Sequence, residues 1–252
     1  MVDTALLAFD IDGLENQRLA HPVDALVWMK ALDATLARVA TRNGRKSACF
    51  AANVPGDADH APPDALIFFP ISHDARHARI DHVLVHAPKG FDAAAIDALK
   101  RLKQVKNGKH TPVIVVLVDI GPKSQFAGTV EHFGSSFVWQ SKTPFVVDSS
   151  ASLTTIESIV REELSEKGHS PCVSIEVEVS PGRYQSIAAL REGSNSTASI
   201  ATCIDFPRRG SSKSSDFDGL MCRLRLRFDT LVHGPMALGR WARYGMGQFL
   251  PG

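Results

Sequence analysis

Arg223, Arg225 and Arg227 are the residues whose type and spacing point most directly to chemistry. They alternate with Cys222, Leu224, Leu226 and Phe228, and side chains two apart share one face of a β-strand. Three guanidiniums on one solvated face repel one another unless something anionic lies across them. Gly234, Gly239, Gly245 and Gly247 follow, with Arg240, Trp241, Arg243 and Tyr244 among them. Glycine lets a backbone come close to a ligand. Arginine forks match phosphate, and aromatic rings stack on bases. The stretch reads either as a basic strand feeding a phosphate- and base-binding loop, with His233 at its mouth, or as a solvated edge strand with a glycine-rich tail. Charge also blunts sheet edges.

Other chemistries find less support. No Walker loop, dinucleotide fingerprint, His-Glu-x-x-His or Gly-x-Ser-x-Gly occurs, and the C-terminal glycines lack the strand-then-helix setting of a dinucleotide site. His73, His77, His82 and His86 gather in one stretch. On a strand, His82 and His86 share a face but stand about 13 Å apart at roughly 3.3 Å per residue, too far for one ion. No Cys or Glu completes a ligand set. Neither metal nor cofactor is expected.

With 252 residues, 44% hydrophobic and 22% charged, the chain suits one large globular domain or two small ones. The net charge of +1 excludes a uniformly basic nucleic-acid binder, but distribution matters more than the sum. Basic residues cluster at Arg38, Arg42, Arg45 and Lys46, at Lys100 to Lys109, at Arg208, Arg209 and Lys213, and in the C-terminal strand and loop. Acids concentrate in Asp10 to Glu15 and Glu157 to Glu178. Cys49, Cys172, Cys203 and Cys222 have no Cys-x-x-Cys spacing and read as free, buried thiols in a reducing compartment. The N-terminus has no basic n-region or cleavage site, and no apolar run is membrane-spanning. The expected location is the cytoplasm.

The elements that must position these residues follow from periodicity. Thr4 to Asp10 reads as a strand. His21-Pro22 opens a helix in which Ala25, Trp28, Leu32, Leu36 and Val39 form a buried stripe, and Asn43-Gly44 stops it. Arg38 and Arg42 lie one turn apart on its polar face. Ala65 to Pro70 and Ile80 to His86 read as strands, and Phe91 to Val105 as a helix. Thr111 to Ile120, nearly all apolar, reads as a central strand buried on both faces. That order is βαββαβ, the ferredoxin-like unit. A second cycle follows: a strand from Phe137 to Val147 interrupted at Pro144, a helix from Thr154 to Lys167, and strands at Val173 to Val179, Ala198 to Phe206 and Leu220 to Val232. Between the last two, Pro207 to Ser215 carries Arg208, Arg209 and Lys213 on a flexible hairpin tip.

Three blocks carry a resemblance. The C-terminal Gly-Pro-Met-Ala-Leu-Gly-Arg-Trp-Ala-Arg-Tyr-Gly-Met-Gly after its basic strand is similar to the glycine-rich loop of the repeat-associated RNA-binding (RAMP) proteins of CRISPR systems. Arg79 to Asp92 and Val138 to Val146 resemble further blocks of the same superfamily. The nearest likeness is to the repeat-processing endoribonucleases, the sixth CRISPR-associated family, in the form of the C-terminal half of the type I-G (formerly I-U) fusion protein. The family's other half has no counterpart, so a stand-alone version is expected, as in other type I or in type IV systems.

The resemblance implies an α+β fold of two ferredoxin-like (RAMP/RRM-like) units, at residues 1–122 and 123–252, with the C-terminal glycine-rich loop. It implies a metal-independent endoribonuclease that binds the stem-loop of precursor CRISPR RNA, cuts at its 3′ base and stays bound alongside other effector-complex subunits, without contacting DNA directly. Such proteins place a histidine at the end of the first helix or just beyond. That window holds Arg38, Arg42, Arg45, Lys46 and, further on, His60; His21 lies at the helix's other end. The type I-G relatives carry His-x-His-Ala before the second strand, where this chain has Pro62-Pro63-Asp64-Ala65. Two readings stay open: His60 or His21 supplies the proton chemistry, or Arg38 and Arg42 act by charge stabilisation alone. Arg45, Lys46, Arg208, Arg209, Lys213, the strand arginines, His233, Arg240, Arg243 and the loop glycines are the expected RNA contacts. A non-catalytic guide-RNA-capping subunit is the alternative.

Overall fold

The computed structural model describes residues 1–9, 25–42, 46–50, 66–72, 80–107, 112–192 and 219–252. The chain divides into two compact units: Met1–Phe126 with Arg243–Gly245, and Ala127–Ala242 with Met246–Gly252. Both are α+β, with antiparallel sheets and few helices.

The first unit contains β1 (Thr4–Phe9), α1 (Ala25–Arg42), β2 (Ile67–Ile71), β3 (His82–His86), α2 (Ala93–Arg101), β4 (Gln104–Val105), β5 (Val113–Gly121) and the single turn α3 (Lys123–Phe126). Its sheet order, β2-β3-β1-β5-β4, is that of a βαββαβ unit with a two-residue strand added at the edge. Alternation shows in β1, where Ala5, Leu7 and Phe9 are buried, while β2 and β3 bury consecutive residues on both faces, Phe68 and Phe69, and Val83, Leu84 and Val85. A fully buried apolar side chain of this size contributes about 1.5–3 kcal/mol.

Two expectations for the helices need correction. The buried residues of α1 are Ala25, Leu26, Met29, Leu32, Asp33, Leu36 and Ala40. Trp28 and Val39 are only half-buried, so the stripe is rotated and takes in an acid. Helix α2 is shorter than its apolar pattern. Asp92 caps its start by accepting from the Ala95 N–H at 2.7 Å, but Leu102 turns extended, with ψ 123°. Gln104 and Val105 then pair with Ile114 and Val113.

Strand β5 departs most from the sequence reading. It is not buried on both faces: Ile114, Val116 and Val118 are 52%, 51% and 53% exposed, while Val113 and Val115 point inward. Beyond the two β4 pairings, its only described strand neighbour is β1. The continuous Val and Ile run reflects the fit of β-branched residues to a pleated backbone rather than double burial.

The second unit contains β6 (Ser135–Ser141), β7 (Phe145–Val147), α4 (Leu153–Glu166), β8 (Ser174–Ser180), β9 (Arg183–Ser186), α5 (Ile187–Glu192), β10 (Leu220–Cys222), β11 (Leu224–His233), β12 (Met236–Ala237) and β13 (Gln248–Pro251). Six strands form one sheet, β12-β13-β6-β11-β8-β9, and β7 pairs separately with β10. Ile156, Val160 and Leu164 of α4 pack on Trp139, Ile175, Val177, Leu224, Leu226 and Phe249 in the core of this unit. Ser152 caps α4 through the Thr155 N–H at 3.1 Å. The crossover strands β6 and β8 enclose β11, whereas in the first unit β1 and β2 enclose β3.

Strand β9 and helix α5 are additions to the sequence reading. Ser180-Pro181-Gly182 turns β8 back into β9; Gly182 has φ 76°, and its N–H donates to the Glu178 carboxylate at 2.7 Å. The expected strand from Ala198 to Phe206 lies outside the described residues. Cys172 and Cys222 are buried free thiols, as expected. Cys49 is free but only half-buried, and Cys203 lies outside the described residues. No helix among the described residues is long and apolar enough to cross a membrane.

Candidate nucleic-acid interface

The expected strand from Leu220 to Val232 is broken at Arg223 into β10, which pairs with β7, and β11, which lies in the six-stranded sheet, but the alternation across the break survives in three dimensions. Cys222, Leu224, Leu226 and Phe228 are buried at 5% exposure or less. The side chains of Arg223, Arg225 and Arg227 are 39%, 25% and 47% exposed. The register sets Arg225 opposite Glu176 of β8 on one side and Gln140 of β6 on the other. The anion that these guanidiniums require is therefore partly supplied by the chain. Glu176 lies 2.6 Å from Arg227 and 3.5 Å from Arg225. Glu178 lies 3.8 Å from Arg223 Nε, a coulombic contact too long for a hydrogen bond. Half-exposed pairs of this kind contribute about 0–1 kcal/mol each. Three guanidiniums thus share two carboxylates, Glu176 and Glu178. Beside it, the Arg225 guanidinium carbon lies 3.9 Å from the Tyr184 ring centroid, and Gln140 Nε2 donates to the Tyr184 hydroxyl at 2.8 Å.

The glycine-rich loop beyond β11 is built differently. Gly234, Gly239, Gly245 and Gly247 are all buried, and at Gly234, Gly239 and Gly247 the missing Cβ permits close approach to the chain's own backbone. Gly239 has φ 88°, and a Cβ there would sit 2.8 Å from the Val146 carbonyl oxygen. Its N–H donates to both Glu163 oxygens at 3.0 Å, and Lys167 Nζ meets the same carboxylate at 2.8 Å. The place a phosphate would take at this N–H is held by a glutamate of α4. Arg240, with a side chain 15% exposed, reaches Asp148 at 2.9 Å. Trp241 is buried at φ 58°, a conformation that costs a bulky residue about 1–3 kcal/mol. His233 is exposed, with Nδ1 2.6 Å from Ser135 Oγ.

Arg243 and Tyr244 belong to the first unit. Arg243 donates to Asp33 Oδ1 of α1 at 2.9 Å, with the two side chains 5% and 3% exposed. It also donates to the Cys49 carbonyl at 3.4 Å. The Tyr244 hydroxyl donates to Asp33 Oδ2 at 3.3 Å. Burial pushes the Asp33 carboxyl up, against the opposing pull of Arg243. Burial, with the Asp33 charge, pushes the Tyr244 phenol up to about 12.

Of the candidate catalytic residues, Arg38 and Arg42 are exposed on α1 and one turn apart. Arg42 occupies the last turn, where a cation complements the helix dipole. Lys46 is exposed a few residues on. His21, His60, Arg45, Arg208, Arg209 and Lys213 lie outside the described residues, as do His73 and His77. His82 pairs with Asp81 at 2.8 Å, and His86 Nδ1 lies 3.1 Å from Thr4 Oγ1. Burial lowers His86 to about 4, and it does the same to His132, whose Nε2 lies 3.2 Å from Gln248 Oε1. These two are neutral at pH 7 and enclosed.

Sequence reasoning missed Asp33, Asp148, Glu163, Glu176, Glu178 and Tyr184. A signal for two of them exists. Ser-Ile-Glu-Val-Glu-Val-Ser of β8 alternates acid with apolar residues in the same period as the arginines of β11, which makes the two complementary as cross-strand partners.

No protein-family model matches the chain, and no curated protein matches it. Among solved structures it is similar to a RAMP protein described as binding different RNA substrates; the alignment covers 99% of this chain and 98% of that chain, at 11% identity and a TM-score of 0.43.

Proposed function

We propose that this chain binds RNA through the outer face of β11, and that the RNA is the repeat stem-loop of precursor CRISPR RNA. The observation that carries the reading is one sheet face on which three part-exposed guanidiniums outnumber Glu176 and Glu178. Arginine pairs with the phosphate backbone, which dominates affinity for nucleic acid. His233 and, from outside the described residues, Arg208, Arg209 and Lys213 are the further RNA contacts of the second unit in this reading; Lys46 and Arg45 are contacts of the first unit. The buried glycines and Arg243 shape the loop rather than touch the ligand.

In its fuller form the proposal includes cleavage. The ribose 2′-oxygen attacks the adjacent phosphorus, the 5′-oxygen leaves with a proton, and a 2′,3′-cyclic phosphate forms. Arg38 and Arg42 stabilise the phosphorane charge, and His60 or His21 moves the protons. The second reading is a non-catalytic subunit that caps a guide RNA among other effector subunits. It is favoured by the chemistry of α1, since arginine does not shuttle protons near neutral pH and the buried His86 and His132 cannot reach a ligand.

The test uses labelled repeat RNA in EDTA, with and without a 2′-deoxy sugar at the cleaved nucleotide. Cutting abolished by the 2′-deoxy sugar establishes the transesterase. Tight binding of both RNAs without cutting establishes the cap. Absence of binding to either removes the RNA reading.

A further inference from the structure

Resting on the RNA reading above, we infer that Tyr184 is a stacking platform for one unpaired nucleobase. Tyr184 stands on β9 opposite Glu178. Its side chain reaches across the sheet, because its hydroxyl accepts from Gln140 Nε2 of β6 at 2.8 Å. The strands between are β8 and β11. Arg225 of β11 lies against the ring, 3.9 Å from guanidinium carbon to centroid. One ring face is thus covered by a cation, and the hydroxyl is pinned at the far end. The residue remains part-exposed.

A ring held at both ends loses little rotamer freedom when something stacks on it. The guanidinium against one face and the hydrogen bond at the hydroxyl hold the ring in place. The ligand chemistry follows from what lies alongside. Arg223 and Arg227 flank the ring's partner at 39% and 47% exposure, so a flat aromatic group on Tyr184 has cations within reach of a phosphate on either side. A flat π-system with phosphates attached is a nucleotide. In a duplex the base faces are already stacked, so the occupant is an unpaired nucleotide in a loop or flanking strand.

The test compares wild-type protein with Tyr184→Ala and Tyr184→Phe on two RNAs. One is an unstructured oligonucleotide carrying a single 2-aminopurine; the other is a fully paired hairpin without overhangs. Wild-type protein is expected to quench the 2-aminopurine. Tyr184→Ala is expected to abolish the quenching and weaken single-strand binding about 5- to 100-fold, with hairpin affinity within about twofold of wild type. Tyr184→Phe, which keeps the ring, retains the quenching. Photocrosslinking of 5-iodouridine RNA to the wild-type protein locates the contact independently of any variant's folding, and a peptide containing Tyr184 is expected. Wild-type binding with unchanged quenching in Tyr184→Ala, or crosslinks confined to other peptides, overturns the platform and leaves the RNA reading intact. Failure of wild-type protein to bind either RNA overturns both.

Discussion

Arg223, just before β11, and Arg225 and Arg227 on it differ from Arg240 and Arg243 in the loop beyond in where their acids sit. The strand arginines share Glu176 and Glu178 on an open sheet face, at 25–47% exposure. Arg240 and Arg243 are 15% and 5% exposed and each has its own aspartate, Asp148 and Asp33. One residue type, in one stretch of sequence, does two jobs. On the sheet the charges stay hydrated and can exchange a glutamate for another anion. In the loop, desolvation of both partners makes the Arg243–Asp33 pair structural, because neither tolerates loss of the other, whereas Arg240 pairs with an Asp148 that is itself 71% exposed. In the proposed reading, the basic, glycine-rich C-terminus is a grip followed by an anchor.

The largest expected effect comes from the anchor. Arg243→Ala should lower unfolding stability by about 3–5 kcal/mol, since it strands the Asp33 carboxylate; urea denaturation reads this. The double change Asp33→Leu with Arg243→Met should recover most of the loss. If Arg243→Ala instead behaves like a surface change, the two classes of arginine are one.

Acid probes whether the chain around the loop is as dry as the anchor requires. His132 lies beside Gln248, just past the loop, and His86 is buried in the first unit. Both have folded values of about 4, below the ordinary 6.5, so the unfolded chain binds more protons. Their contribution is full above pH 6.5 and is lost as pH falls from there towards 4, by about 2–3 kcal/mol per histidine. His132→Gln should flatten part of that slope in urea midpoints taken between pH 7 and 4.5.

Gly239→Ala sharpens the contrast at the loop backbone. A Cβ at φ 88° would press on Val146 and the Phe145 ring, for an expected cost of about 1–3 kcal/mol by thermal melting. The smallest stability effect belongs to the grip. Arg227→Ala should cost less than about 1 kcal/mol while weakening RNA binding, and the slope of log affinity against log salt should fall by about 0.7–0.9.

Much of this frame was legible in the sequence. The alternation of β11 specified its two faces because charge and apolarity switch at every residue, and no other backbone keeps that pattern. The order of elements in the first unit was legible for the same reason. Strand β5 was misread because an unbroken apolar run carries no alternation, and Ile114, Val116 and Val118 look like core residues whether covered or not. Asp33 was invisible since its partner is 210 residues away, and an acid inside a helical stripe reads as an interruption. Glu176 and Glu178 were readable as period-two acids, but which strand lies beside β8 is a matter of topology. The proximity of Arg38 and Arg42 followed from helical spacing alone; their chemistry depends on His21 and His60, which lie outside the described residues.

The carboxylate of Glu163, held between the Gly239 N–H and Lys167, has a consequence for cost and timing. It acts as a resident counter-ion that orders the loop during folding, so the loss of chain entropy falls there and not at recognition. A ligand arriving at the neighbouring strand meets a backbone already at rest, and its dissociation rate should report side-chain contacts without a loop-closing step.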